Sequence, residues 1–298
     1  MERQGVRILM ESFFQFWQHI PEKISPVLFS IGSFQIRYYS IMYLAAFLLT
    51  YVLVIRRIKT EDFSYSSETI QNYLFWAIAG LILGARLGYV LFYHPLYYFH
   101  HPLEILSPFS FDNGIHFVGI TGMSYHGGAI GVAAVSVLFC RKNGIDIWNF
   151  ADLFCPAIPL GYTFGRIGNF LNGELYGRPT SVPWGMYFPL DQMNLLRHPS
   201  QLYEAVFEGI FLFTVLWLIR RWRPFSGIHL ALYIMGYGVV RFFIEFYREP
   251  DAHIGLVLGI FSLGQILCLL MILTGLGIFF IRRASGVMVE TVPERRKT

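Results

Sequence analysis

Long apolar runs alternate with short polar segments along most of the chain. A helix that crosses a bilayer needs about 20 mostly apolar residues, and only helices and closed barrels satisfy their backbone polar groups in lipid. Because the runs are continuous, they favour helices over barrel strands. The pattern predicts an all-α integral membrane protein with a bundle of about seven transmembrane helices, at residues 38–55, 73–93, 117–139, 150–171, 203–219, 228–247 and 255–281.

Composition agrees with this membrane assignment. Of the 298 residues, 55% are hydrophobic and 14% are charged, and the mean hydropathy is +0.49, outside the usual balance of soluble domains. We expect three regions: an N-terminal periplasmic or interfacial segment at 1–35, a seven-helix domain at 36–283 and a basic tail at 284–298. The first region has no cleavable signal pattern, and residues 11–20 are typical of an amphipathic segment at the interface.

Lysine and arginine concentrate in every second loop, which indicates the orientation in the membrane. Basic loops face the cytoplasm, so we expect the N-terminus outside and the tail inside. The net charge of +4 follows from this topology and does not indicate nucleic acid binding. The polar segment 172–201 then forms an outward-facing loop, and a loop of this length is usually functional. The basic residues are Arg56, Arg57, Lys59, Arg141, Lys142, Arg220, Arg221, Arg223, Arg282 and Arg283.

Ionisable groups inside apolar spans are costly, by about 2.5 to 3.5 kcal/mol on insertion scales, and usually mark a site. For Arg86 and Asp152 we expect structural roles, as partners or a helix cap. Glycines at four-residue spacing, such as Gly84 and Gly88, predict close helix packing. The ionisable candidates are Arg86, His126, Asp152, Arg166, Glu174, Arg241, Glu245 and Arg248.

The stretch GYTFGRIGNFLNGELYG, residues 161–177, carries a polar helix face. Arg166 and Asn169 are three residues apart and share that face, and Glu174 lies further along it if the helix continues. A guanidinium is a planar fork of donors suited to phosphate, and an amide can bind a glycerol hydroxyl. The face therefore resembles a phospholipid headgroup site; the alternative is an Arg–Glu pair that ties helices together.

A second stripe lies in YGVVRFFIEFYREPD, residues 237–251. Tyr237, Arg241, Glu245 and Arg248 recur at helical spacing, and Arg241 can pair with Glu245 along the helix. We expect Tyr237 and Arg241 to point into the bundle, because lipid would penalise them. The alternative is a self-neutralised stripe that binds no ligand.

His126 is the side chain best suited to proton transfer, because histidine exchanges a proton near neutral pH. Gly127 and Gly128 leave room beside it for a large substrate, although hydrogen-bonded scaffolding is the alternative role. The chain's three cysteines, at 140, 155 and 268, lie in or beside apolar spans and are typical of small core residues. Any reactive thiol is therefore expected to arrive with a substrate.

Several ordered motifs together resemble the bacterial prolipoprotein diacylglyceryl transferase family, over residues 25–283. They are GARLGYVLFY, GMSYHGGAIG, GRIGNFLNGELYGR, RHPSQLYE and YGVVRFFIEFYREPD, and GRIGNFLNGE matches the family signature. Ala85 stands where a glycine is common in the family, a difference that concerns packing.

The resemblance implies a seven-helix enzyme of the bacterial cytoplasmic membrane. It would transfer the diacylglyceryl group of phosphatidylglycerol to the lipobox cysteine of a prolipoprotein signal peptide and release glycerol phosphate. By motif position, His126, Arg166 and Arg241 would be catalytic, with His126 as base and the arginines on the phosphate. Arg166 would also bind substrate, together with Tyr39, Asn169, Glu174, Gly177, Tyr237 and Glu245. No cofactor or metal is expected.

Two other functions remain open at this stage. A transporter or channel can also place arginine and glutamate inside a membrane, and the similarity of ARLGYVL to GRIGNFL hints at a duplicated transporter. An intramembrane protease is less favoured, because Ser124 and His126 lie only two residues apart and no G-x-S-x-G pattern is present. A lipid-linked alcohol phosphotransferase is not favoured, because it would need an acidic metal box and the sequence shows none.

Overall fold

The computed structural model describes residues 10, 12–32, 34–105, 107, 109–110, 116–117, 122–249, 256–257 and 261–285. Most of the basic tail expected at 284–298 lies outside these residues, as do parts of the predicted spans at 117–139 and 255–281. The described chain divides into two compact units. The first takes the described residues up to Phe63 and from Ala151 onward, and the second comprises Ser64–Phe150. The region boundaries expected at residues 36 and 283 stay a prediction.

The first unit holds most of the long helices. Helix α2 (Tyr38–Thr60) packs on α7 (Ile158–Leu171), α7 packs on α8 (Ser200–Ile219), and α9 (Ile228–Ile244) packs on α10 (Leu263–Ala284). Helix α6 (Ile147–Phe154) includes the last residues of the second unit and the first residues after it that belong to the first unit. The elements are α1 (Ile20–Lys23), β1 (Val27–Ile31) paired antiparallel with β2 (Phe34–Arg37), α2 (Tyr38–Thr60), α6 (Ile147–Phe154), α7 (Ile158–Leu171), α8 (Ser200–Ile219), α9 (Ile228–Ile244), β5 (Leu256–Val257) paired with β6 (Phe261–Ser262), and α10 (Leu263–Ala284). Residues 12–18 are also helical.

The second unit is built on two long helices that share a glycine seam. A Cβ added at Gly84 or Gly131 would collide with a backbone oxygen of the facing helix, so the glycines set the distance between these helices. Ser66 and Ser124 cap them by accepting from the Thr69 and Gly127 amides. The elements are α3 (Ser67–Tyr93), α4 (Pro95–His100), a 3₁₀ turn (Pro102–Ile105), the strands β3 (Phe109–Ser110) and β4 (His116–Phe117), and α5 (Tyr125–Lys142).

Each predicted apolar span contains helix among its described residues, and the chain is a mostly helical membrane protein. The spans predicted at 117–139 and 255–281 begin too early, because their helices start at Tyr125 and Leu263, after the strands β4 and β6. Within the described residues, four helices are long and apolar enough to cross a membrane, namely α2, α3, α8 and α10, and α9 is a shorter apolar helix. The span predicted at 150–171 is two helices, because Pro156 and Pro159 interrupt it and Pro159 lies in the first turn of α7. The small hairpins depart from the all-α expectation.

The expected structural roles of Asp152 and Arg86 are confirmed. The Asp152 carboxylate caps α9 by accepting from the amides of Gly227 at 2.7 Å and His229 at 2.8 Å. Arg86 donates to the carbonyl oxygens of Glu104 and Ile105, both at 2.6 Å, and so fastens the 3₁₀ turn to α3.

Candidate functional site

A buried carboxylate on α8 receives two arginines from different helices of the first unit. Arg166 of α7 places its Nε 2.6 Å from Oε2 of Glu204, and Arg241 of α9 places its Nη1 3.3 Å from the same oxygen. Glu204 is fully buried. The two guanidinium groups therefore converge on one carboxylate oxygen, an arrangement that a shared headgroup site requires.

A third arginine completes the charged cluster. Arg248 donates from Nη1 to the other oxygen of Glu204 at 2.8 Å, and its Nε lies 3.6 Å from Oε2 of Glu245. Glu245 also receives Nη2 of Arg241 at 3.2 Å, which confirms the pair predicted along the helix. We call Arg166, Arg241, Arg248, Glu204, Glu208 and Glu245 the arginine cluster.

Glu208, one turn after Glu204, joins the cluster through a tyrosine. Its Oε1 lies 3.3 Å from Nη1 of Arg241, and its Oε2 accepts a short hydrogen bond from the hydroxyl of Tyr162. That hydroxyl also accepts from Nε of Arg166 at 2.6 Å, and the guanidinium carbon lies 4.7 Å from the tyrosine ring centroid. Tyr162 thus connects Arg166 to Glu208 and, through Glu208, to Arg241.

A π-helical stretch within α8, Ala205–Phe211, carries Glu208. Such stretches leave backbone carbonyls without regular helical partners and are frequent at functional sites. Here the Thr163 hydroxyl donates to the carbonyl of Ala205 at 3.3 Å. A Cβ at Gly209 would collide with Thr163, so α7 and α8 approach closely beside the two glutamates.

The loop at 172–201 is folded and holds the N-terminal segment. Arg197 binds Asp191 through two bonds, Nε to Oδ2 at 2.8 Å and Nη2 to Oδ1 at 2.9 Å. This hydrogen-bonded pairing holds the pKa of Asp191 below its ordinary value, although burial opposes the shift. The Trp17 indole donates to the carbonyl of Trp184 at 3.0 Å, so the residues before β1 pack on the loop.

Comparison with known proteins bears on this geometry. A family model described as prolipoprotein diacylglyceryl transferase matches residues 26–281. The chain belongs to this family. A phosphatidylglycerol–prolipoprotein diacylglyceryl transferase of Chlorobaculum tepidum is 52% identical over 270 residues, 90% of this chain and 93% of the relative. Relatives of the same name from Campylobacter jejuni subsp. jejuni and Campylobacter lari are 45% and 44% identical, over 89% and 90% of this chain and 96% and 97% of their own lengths.

Two residues of the family signature are connected to Arg166 by hydrogen bonds. Asn169 shares the face of Arg166, whose Nη1 donates to the Asn169 Oδ1 at 3.4 Å. The helix ends at Leu171, yet Glu174 stays connected because Asn169 donates to its Oε1 at 2.9 Å. Gln201 at the start of α8 donates to the Glu174 carbonyl oxygen at 2.6 Å. The signature thus forms a continuous polar path from Arg166.

Three further residues predicted to bind substrate, Tyr39, Tyr237 and Gly177, each make a different kind of contact. Tyr39 lies in the first turn of α2 and donates to the hydroxyl of Tyr43 at 3.0 Å, and the ring of Tyr237 lies edge-on to that of Tyr162 at 5.9 Å. A Cβ at Gly177 would collide with a backbone oxygen of Tyr247, so the glycine lets the loop pair with the end of the Arg241 stripe. Their predicted substrate contacts stay predictions.

His126 lies in the second unit, in the first turn of α5, with an exposed side chain. Its ring is edge-on to Tyr125 at 5.8 Å. Its role as base stays a prediction. All three cysteines are buried and none is in a disulfide, in line with a thiol that arrives with the substrate.

Sequence reasoning missed Glu204 and Glu208. The signal was present, because two carboxylates four residues apart inside the apolar span 203–219 carry the same insertion cost that singled out the arginines. Glu204 also ends the motif RHPSQLYE. Among the described residues no group of three His, Cys, Asp or Glu side chains forms a metal site; the expectation of a metal-free reaction stays a prediction.

Proposed function

We propose that this chain transfers the sn-1,2-diacylglyceryl group of phosphatidylglycerol to the lipobox cysteine thiol of prolipoproteins, the first step of bacterial lipoprotein maturation. The products are a thioether on the cysteine and glycerol phosphate. Family membership and the names of close relatives support the reaction class. The observation that carries it is the convergence of Arg166 and Arg241, from separate helices, on one carboxylate oxygen.

The arginines supply the electrostatic part of the reaction. The cysteine sulfur forms a bond to the glyceryl carbon while the bond from that carbon to the phosphate oxygen breaks, and its electron pair remains on the phosphate. The leaving group therefore gains one negative charge. Guanidinium donors from Arg166 and Arg241 stabilise that charge, a role typically worth about 3 kcal/mol per donor.

The thiol must lose its proton, because the thiolate is the nucleophile. We assign this proton to His126, which takes it as the carbon–sulfur bond forms. Asn169 and Glu174 offer an amide and a carboxylate to the hydroxyl groups of the departing glycerol, and Tyr39, Gly177, Tyr237 and Glu245 complete the headgroup surroundings. No metal or cofactor takes part in this scheme.

The membrane setting is part of the proposal. Seven helices cross the bacterial cytoplasmic membrane, with the N-terminus outside, the tail in the cytoplasm and the loop at 172–201 on the outer side. Phosphatidylglycerol enters sideways from the bilayer, and the signal peptide leaves carrying its new lipid. The loop covers the site from the aqueous side.

A reconstituted reaction tests this function. Purified protein is incubated with phosphatidylglycerol and a lipobox peptide, and the peptide mass and released glycerol phosphate are measured. We expect the cysteine peptide to gain one diacylglyceryl group per glycerol phosphate released, and a matched peptide with serine for cysteine to gain none. Release of glycerol phosphate without peptide modification, or no reaction by the folded protein, would contradict the proposal.

A further inference from the structure

Glu204 lies at the centre of the arginine cluster. Both carboxylate oxygens bind arginine: Oε2 faces Arg166 and Arg241, and Oε1 accepts from Arg248. The carboxylate is fully buried, whereas the side chains of Arg166 and Arg241 each keep 14% exposure. The two arginine side chains are therefore partly accessible to an incoming anion, whereas the carboxylate that holds them is not.

The charge of the cluster is balanced. Arginine stays protonated in proteins, so three cations face Glu204, Glu208 and Glu245, which sum to zero when all three glutamates are ionised. Such balance matters because the proposed reaction changes the charge of the bound phosphate. Phosphatidylglycerol is a phosphodiester with one negative charge, whereas a phosphomonoester carries nearly two above its second pKa of about 6.

A fixed carboxylate repels a bound anion in proportion to the charge of that anion. Glu204 therefore opposes the dianionic product about twice as strongly as the monoanionic substrate. Without this carboxylate, the cluster would carry a net positive charge and would favour the dianion.

We propose that Glu204 is a positioning residue that also determines specificity. It holds Arg166, Arg241 and Arg248 in one arrangement, and its charge makes the site bind a monoanionic phosphodiester and release a dianionic phosphomonoester. The inference rests on the proposed function, because it assumes that the headgroup binds at the arginine cluster.

Two substitutions separate position from charge. Glu204→Gln keeps the shape and removes the charge, whereas Glu204→Asp keeps the charge and moves it back by one methylene. Glu249→Gln is the matched control, because Glu249 is half exposed and lies outside the cluster. Its Oε2 lies 3.1 Å from Nη1 of Arg197 in the loop at 172–201.

The experiment measures the KM for phosphatidylglycerol and the inhibition constant of glycerol phosphate at pH 5.5 and pH 7.5. For Glu204→Gln at pH 7.5 we expect the ratio of the glycerol phosphate inhibition constant to KM to fall about tenfold or more. At pH 5.5 the fall should be much smaller, because the monoester loses most of its second charge there. Glu204→Asp should lower kcat but keep the wild-type ratio of the inhibition constant to KM. Glu249→Gln should change neither kcat nor this ratio. Equal weakening of both constants by Glu204→Gln at both pH values would overturn the proposal, since that is the result of a purely structural role.

A second measurement needs no variant. Calorimetry on the wild-type protein compares glycerol phosphate with the deacylated headgroup, glycerophosphoglycerol, at pH 7.5. We expect the monoanionic diester to bind at least as tightly as the dianion; a dianion that binds more than about tenfold tighter would overturn the inference. Failure of the proposed function has a different signature, namely no lipid transfer and no binding of either ligand.

Discussion

At the residue scale, the proposed mechanism assigns the proton transfer to His126. His126 is exposed and lies in the first turn of α5. We expect His126→Asn to lower kcat/KM for peptide lipidation by about 10² to 10⁴, the usual contribution of a general base. His100→Asn, on an exposed histidine of α4, is the control and should leave kcat/KM unchanged. Full turnover by His126→Asn across neutral pH would remove His126 as an obligatory base.

We expect Asp191 to give the loop at 172–201 a pH-dependent stability. Because Arg197 lowers its pKa, the stabilisation is present above the ordinary aspartate value, about 3.9, and is lost as pH falls through the lower folded value. Burial lowers the pKa of His198, so protonation of that ring also weakens the loop in acid, but equally in both proteins compared below.

We therefore expect Asp191→Asn to lower the opening free energy of the loop by about 3 kcal/mol at pH 7, because it breaks a buried ion pair. Hydrogen exchange of the amides at 172–199, corrected for intrinsic rates, measures this opening. The difference from wild type should shrink as pH falls below 4. A difference that is constant with pH would contradict the assigned role of the carboxylate charge.

Within one helix, side-chain neighbours were predictable from the sequence. Helical spacing gave the shared face of Arg166 and Asn169 and the pair of Arg241 with Glu245, and both are confirmed. Glu204 and Glu208 come from another helix, and spacing along one element cannot identify partners that tertiary packing brings in. The π-helical stretch that carries Glu208 also has no sequence pattern comparable to a helix cap.

At the element scale, hydropathy located the helices but not all of their ends. Helix α3 begins at Ser67, six residues before the predicted span, because its first turns carry polar residues such as Glu68 and Gln71 and because Ser66 caps it. Conversely, mean hydropathy over a window does not reveal where a proline ends a helix. The span predicted at 150–171 is therefore two helices, because prolines interrupt it.

The glycine seam between α3 and α5 yields a stability prediction. Gly131→Ala should destabilise the protein by about 1 to 3 kcal/mol, because the new methyl group collides with the carbonyl oxygen of Gly80. Gly277→Ala in α10 is the matched control, since a Cβ there meets nothing within 4 Å. Thermal unfolding in detergent compares the two. A Gly131→Ala protein as stable as Gly277→Ala would contradict the assigned seam.

At the scale of the whole molecule, the expected orientation is testable with introduced cysteines, because the three native cysteines are buried. Met193 lies exposed in the loop at 172–201, and Lys59 lies exposed at the end of α2. In spheroplasts, which lack an outer membrane barrier but keep an intact cytoplasmic membrane, an impermeant maleimide should label Met193→Cys at once. It should label Lys59→Cys only after the cytoplasmic membrane is permeabilised. The reverse pattern would invert the topology.

The central claim is that Arg166 and Arg241 bind one phosphate together. A double-mutant cycle with Arg166→Lys, Arg241→Lys and the combined variant tests it through kcat/KM for phosphatidylglycerol. Lysine keeps the charge but loses the planar fork, so each single variant should lose about 100-fold. Because both side chains act on the same group, we expect the combined loss to fall short of the product of the single losses by at least about tenfold. Wild-type activity in either single variant, or losses that multiply independently, would contradict the account.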